Sequence, residues 1–198
     1  GPLTSDVTDL VQPENSTATN TTAQWVAVQY LVPKNRGLGQ RTSSWKLTRG
    51  QIHHVPGATP THQFFQSPLQ GKFEIRADRS IAENSAKNGE CMISWGMFAA
   101  VPRKDLAAVR IARSLTAFED KEKALELPGW NDAAEFQITV DGNRITSSVN
   151  GVQIQEEVLV GTPSPWVILR TPDAADEAII SNLRISGTPE IPEGIDLI

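Results

Sequence analysis

The segment Glu135–Glu157, EFQITVDGNRITSSVNGVQIQEE, decides the fold. It carries two strong reversal signals, Asp141-Gly142 and Asn150-Gly151. Type I′ turns join strands through two residues and need positive φ at both, which favours Asx-Gly pairs. A two-residue loop also fixes the pairing register. Across the first reversal, Val140 is predicted opposite Asn143, Ile138 opposite Ile145 and Phe136 opposite Ser147. Across the second, Val149 faces Val152 and Ser147 faces Ile154. Both registers put Phe136, Ile138, Val140, Ile145, Val149, Val152 and Ile154 on one face. Gln137, Thr139, Arg144, Thr146, Ser148, Gln153 and Gln155 fall on the other. The segment therefore reads as a three-stranded meander with one buried side and one wet side.

The same punctuation continues outward. Short runs of period-two alternation recur between Gly, Pro, Asn and Asp residues. They cover Trp25–Val32, Trp45–Thr48, Gln51–Val55, His62–Ser67 and Gly71–Asp78. Glu90–Phe98 is mostly apolar, as a central strand covered on both faces must be. The charge pattern of Ala107–Leu115 also suits a helix, but Val109, Ile111 and Leu115 keep strand parity, which favours a strand. Asp120–Leu127, DKEKALEL, suits one or two helical turns. Two more strands, Trp166–Thr171 and Ala178–Ser186, close the domain. Ten to twelve strands in about 165 residues suit an all-β, two-sheet antiparallel jelly-roll sandwich, and are too many for a seven-stranded immunoglobulin sandwich.

Residues 23–187 read as this one domain. Residues 1–22 read as a tail: Asn15–Thr22, NSTATNTT, has no hydrophobic period to offset the entropy of ordering it. Asn15-Ser16-Thr17 and Asn20-Thr21-Thr22 match the N-glycosylation acceptor, a short pattern that linker composition also explains. Residues 188–198 read as an extension towards a further domain of a longer parent chain.

Composition narrows the function classes. Of 198 residues, 39% are hydrophobic and 21% charged, enough apolar surface for a real core. No apolar run approaches the roughly 20 residues of a membrane-spanning helix. The net charge of −5, without a dominant basic patch, speaks against an electrostatic nucleic-acid binder. The single cysteine, Cys91, excludes an internal disulfide and a cysteine-rich zinc site, and reads as an inert buried thiol.

Three sets of residues carry the resemblance to known proteins. Trp130-Asn131 is followed by Ile138-Thr139-Val140-Asp141-Gly142-Asn143-Arg144-Ile145 and Val149-Asn150-Gly151. Upstream stands Pro68-Leu69-Gln70-Gly71-Lys72-Phe73-Glu74; downstream stands Ile180-Ser181-Asn182-Leu183-Arg184-Ile185. In this order they resemble strands of the concanavalin A-like lectin/glucanase jelly rolls, and especially bacterial 3-keto-disaccharide hydrolase-like domains. With Trp45–Gly57 and Gly187–Pro192 added, the chain is most similar to the uncharacterised bacterial family known as domain-of-unknown-function 1583. The resemblance implies a jelly roll acting on or near carbohydrate, inside a large multidomain protein, extracytoplasmic or at the cell surface.

Glucanase-type relatives carry an E-x-D-x-x-E strand motif, and none exists here. The nearest run is Glu74-x-Arg76-x-Asp78. Its end carboxylates lie about 13 Å apart on a strand, outside both glycosidase windows of roughly 5–5.5 and 6.5–9.5 Å. Arg76 between them favours two ionised groups, the wrong state for a general acid. No catalytic residue is therefore assigned, and a glycoside hydrolase or lyase stays as an alternative. His53 and His54 alternate across a strand and cannot share one metal in regular β geometry; only His62 is in reach of either. Asp173, Asp176 and Glu177 form a loose acidic loop. No metal site and no cofactor is expected.

Tryptophan offers sugar rings an apolar face with a polar edge. Trp25, Trp45, Trp130 and Trp166 sit at strand starts, where packing explains them. Trp95 lies mid-strand, as core or as the floor of a concave face. The expectation is a non-catalytic carbohydrate-recognition or accessory module. Glu74, Arg76 and Trp95 are its candidate binding residues, with the amide and hydroxyl row of the meander beside them. A structural or protein-interaction domain is the other alternative.

Overall fold

The computed structural model describes residues 25–26, 45–48, 51–54, 62–64, 68–81, 92–115, 117–130, 133–170 and 178–193, with backbone only at 25–26, 45–48, 62–64, 81 and 178. The tail, Cys91, the acidic loop at 173–177 and the last five residues lie outside these, as do the ends predicted for three early strands.

The elements are all strands: β1 (Trp25–Val26), β2 (Trp45–Thr48), β3 (Gln51–His54), β4 (His62–Phe64), β5 (Gln70–Ile81), β6 (Met92–Trp95), β7 (Ala99–Pro102), β8 (Ala108–Ala112), β9 (Phe118–Glu122), β10 (Ala133–Asp141), β11 (Arg144–Val149), β12 (Val152–Val158), β13 (Val167–Arg170) and β14 (Ala178–Glu190). An eight-stranded antiparallel sheet runs β12-β11-β10-β5-β14-β3-β2, with β1 also on β14. Opposite lie two three-stranded sheets, β4-β13-β6 and β7-β8-β9. Reciprocal backbone bonds between Trp95 and Phe98 join them. Among the described residues no helix is long and apolar enough to cross a membrane.

Alternation in β5 shows how sequence becomes layers. Phe73, Ile75 and Ala77 are buried, while Glu74, Arg76 and Asp78 between them are half-buried on the outer side. Phe73 meets Trp95 of the other sheet edge-on, ring centroids 5.8 Å apart. One apolar cluster takes residues from both layers, with Ile138, Val140, Ile145, Ile154, Val109, Ile111 and Leu169 among them. This is the two-sheet sandwich, held by the area it removes from water. β6 and β13 are buried on both faces, as the apolar Glu90–Phe98 run predicts.

Four expectations are corrected. First, Glu90–Phe98 is not one strand: it breaks after Trp95 at Gly96-Met97, φ +65° and +62°, into a hairpin. Two left-handed residues suit a type I′ turn, but methionine is a poor signal for one. Second, the loop of the first meander turn is Gly142-Asn143, so Val140 faces Ile145, Ile138 faces Ser147 and Phe136 faces Val149. Positive φ at Gly142 alone fits a II′ turn, which wants glycine first. A slip of two keeps parity, so Phe136, Ile138, Val140, Ile145 and Val149 stay buried.

Third, a bulge opposite Ser147/Ser148 pairs Ser147 with Gln155, not Ile154. Ile154 and Gln155 are then both buried, and Gln155 leaves the wet face; Val152 is 41% exposed. Bulges insert one residue and twist the strand, which at a sheet edge opposes edge-to-edge pairing. Fourth, Asp120–Leu127 is not helical. Its first residues belong to β9, where Asp120 faces Arg110. Pairing with β8 and two further backbone bonds, Lys123 to Ala107 and Leu125 to Leu106, outweigh helix propensity there.

Candidate functional site

The outer face of the eight-stranded sheet gathers the polar side chains that alternate with the core. Registers align them into rows running across the strands. One row is Ser186, Glu74, Thr139, Thr146 and Glu156, from β14, β5, β10, β11 and β12. Its neighbour is Arg184, Arg76, Gln137, Ser148 and Gln153. Only Glu156 and Gln153, on the edge strand, are exposed; the other eight are half-buried, pressed against one another.

Glu74 is the hub. It accepts from Arg76 Nε at 2.9 Å, Gln137 Nε2 at 3.0 Å and Ser186 Oγ at 3.5 Å. Arg76 and Arg184 stand directly opposite each other, a repulsive pair by itself. Glu135 bridges them, 3.9 Å from Arg76 and 3.7 Å from Arg184. Asn182, φ +51° at a bulge in β14, donates to Asp78 at 2.7 Å, and Arg184 donates to the Asn182 carbonyl at 2.8 Å. Arg144 pairs with Glu156 at the far end. The three carboxylates Glu74, Asp78 and Glu135 thus all have donors within the face. None lies in the apolar setting that a general acid needs.

Trp95 does not join this group. It is 1% exposed in β6, in the opposite layer, and its Nε1–H donates to the Leu69 carbonyl at 2.9 Å. Alternation with Ile93 turns it inward, so it is core and not a floor for sugar. Trp130 is also core, with the Arg79 guanidinium 4.2 Å over its ring. Trp166 packs on Ile168; the side chains of Trp25 and Trp45 lie outside the described residues. His53 and His54 point to opposite faces, His54 buried and His53 3.2 Å from Gln51. The His62 side chain lies outside the described residues, among which no cluster of His, Cys, Asp and Glu is arranged to hold a metal.

Sequence reading found Glu74, Arg76, Gln137, Thr139, Thr146 and Ser148 but not Glu135, Arg184, Ser186 or Asn182. Parity alone marks Glu135, Arg184 and Ser186 as outward. What parity does not show is that β14 lies beside β5, which puts Arg184 against Arg76.

A family model described as "Protein of unknown function (DUF1581)" matches residues 137–198. This match does not confirm the resemblance to family 1583. No curated protein matches the chain. Among solved structures it is similar to carbohydrate-binding module CBM66 from Bacillus subtilis, with TM-score 0.55, 10% identity, and coverage of 72% of this chain and 91% of the other. The fold is that β-sandwich. A provisionally assigned glycosyl hydrolase from Parabacteroides distasonis gives TM-score 0.52 and 12% identity, covering 80% of this chain and 78% of the other. A Bacillus subtilis protein of unknown function with a galectin-like fold gives 0.48 and 12%, covering 82% and 96%.

Proposed function

We propose that this chain is a carbohydrate-recognition module, non-catalytic and accessory to a longer protein, whose binding surface is the outer face of the eight-stranded sheet. The observation that carries it is the half-buried field of hydroxyls, amides and internally paired charges around Glu74 and Arg76. Such a surface presents preformed donors and acceptors of both kinds, which sugar hydroxyls match. Side chains already held by neighbours lose little entropy on binding. The fold shared with a carbohydrate-binding module, and the sequence resemblance to lectin/glucanase jelly rolls, point the same way. Trp95 drops out of the proposed site; Glu74 and Arg76 remain, joined by Gln137 and Arg184.

A glycan array followed by calorimetry tests the reading. Binding of at least one glycan, weakened about tenfold or more in Arg76→Ala, is expected. Silence across a panel of plant, algal and bacterial polysaccharides refutes it. Glycoside hydrolysis is the second reading, favoured by the fold shared with the Parabacteroides protein. Release of reducing sugar that is lost in Glu74→Gln is the outcome that establishes it.

A further inference from the structure

Resting on that reading, we propose that the ligand is a stretch of about four to five residues of a linear, uncharged polysaccharide, laid perpendicular to the strands across β14, β5, β10, β11 and β12. Strands lie about 4.8 Å apart, so four steps make each row about 19 Å long. One step is close to the length of one pyranose ring in an extended glycan. The rows thus repeat a pair of polar side chains at the interval at which a linear polymer repeats its hydroxyls.

Charge selects the class. Three cations bordering the strip already have anions: Arg76 has Glu74 and Glu135, Arg184 has Glu135, Arg144 has Glu156; the fourth, Lys72, is exposed at the margin and stands opposite Asp141. At the three arginines a uronate or sulfate ester has to displace a carboxylate and meet the remaining ones. The middle of the strip is uncharged: Thr139 opposite Thr146, and Gln137 opposite Ser148. These four side chains each donate and accept, and so take hydroxyls in either orientation. No described aromatic side chain lies on this face; Phe73, Trp95, Phe98, Trp130 and Phe136 are all in the core. Without a stacking platform among the described residues, a single sugar gains little there, and affinity has to accumulate over several weak contacts.

Calorimetry on the full chain with gluco-, manno-, xylo- and galacto-oligosaccharide ladders of one to six units, beside oligogalacturonide and sulfated carrageenan ladders, tests this. At least one neutral ladder is expected to bind, Kd falling about tenfold or more from two to four units and levelling by five. Thr146→Arg, mid-strip, and Gln153→Arg, on the exposed edge, are expected to abolish or shorten that dependence with melting unchanged. Length-independent affinity, preference for an acidic ladder, or undiminished binding in both variants overturns the inference and leaves carbohydrate recognition standing. Failure of every ladder overturns the inference, and silence on the glycan array as well overturns both.

Discussion

Replacing Arg170 by methionine is expected to stabilise this protein. Arg170 ends β13 with no exposed surface, and among the described residues none of its three guanidinium nitrogens has a hydrogen-bond partner. The Phe118 ring lies 5.0 Å from the guanidinium carbon. Burial pushes its pKa down to about 10, far below an ordinary guanidinium. At about 1.4 kcal/mol per tenfold, the gap to the normal value corresponds to about 3 kcal/mol against the charged form in the fold. Screening and relaxation leave about half of that, and loss of the cation–π contact returns about 0.5–1 kcal/mol. Methionine keeps the unbranched stem without the charge, so a net gain of about 1 kcal/mol follows, or about 2–4 °C in Tm. The sign with pH is fixed. The folded-state pKa is depressed, so wild type carries the full penalty below pH 10 and sheds it as pH rises through 10. The advantage of the variant is therefore constant between pH 6 and 9 and shrinks above. Urea unfolding at those pH values measures it. A loss of more than about 1 kcal/mol in Arg170→Met, with Arg170→Lys near wild type, refutes the reasoning by showing the charge to be paired.

Gly187→Ala is expected to cost about 3 kcal/mol or more in urea unfolding: φ is +107°, and an added Cβ lies 2.8 Å from both the Lys72 carbonyl oxygen and the Phe73 Cα, neither free to yield. An unchanged midpoint contradicts the β14–β5 pairing there. Trp95→Phe removes the bond to the Leu69 carbonyl and leaves a void, a loss of about 2–4 kcal/mol. Its Kd for any glycan stays at the wild-type value, and a selective loss of binding returns Trp95 to the site. Ser147→Ala is neutral or stabilising by up to about 1 kcal/mol, since the buried Ser147 hydroxyl has no partner among the described residues; a clear loss of Tm rules this out.

Legibility followed the range of the physics. Parity in Glu135–Glu157 is local: side chains alternate by two whatever the neighbouring strand, so Phe136, Ile138, Val140 and Ile145 were placed correctly even though the loop moved by one residue and the pairing by two. Register beyond the bulge was not local, because the extra residue at Ile154 answers to twist at a sheet edge. Asp120–Glu122 failed for a related reason. A charged edge strand has no apolar period, and only its partner β8 identifies it.

The candidate site divides along the same line. Sequence by itself determined that Glu74 and Arg76 face outward, that the meander has an amide and hydroxyl side, and that a sandwich holds them. Tertiary structure decided that β14 lies beside β5 and not beside β13, which sets Arg184 and Ser186 against Arg76 and Glu74. It also decided that Trp95 lies in the facing layer, turned into the core. Alternation is written residue by residue by backbone stereochemistry, whereas the choice of neighbouring strand is a contest among long-range pairings that only the closed core resolves.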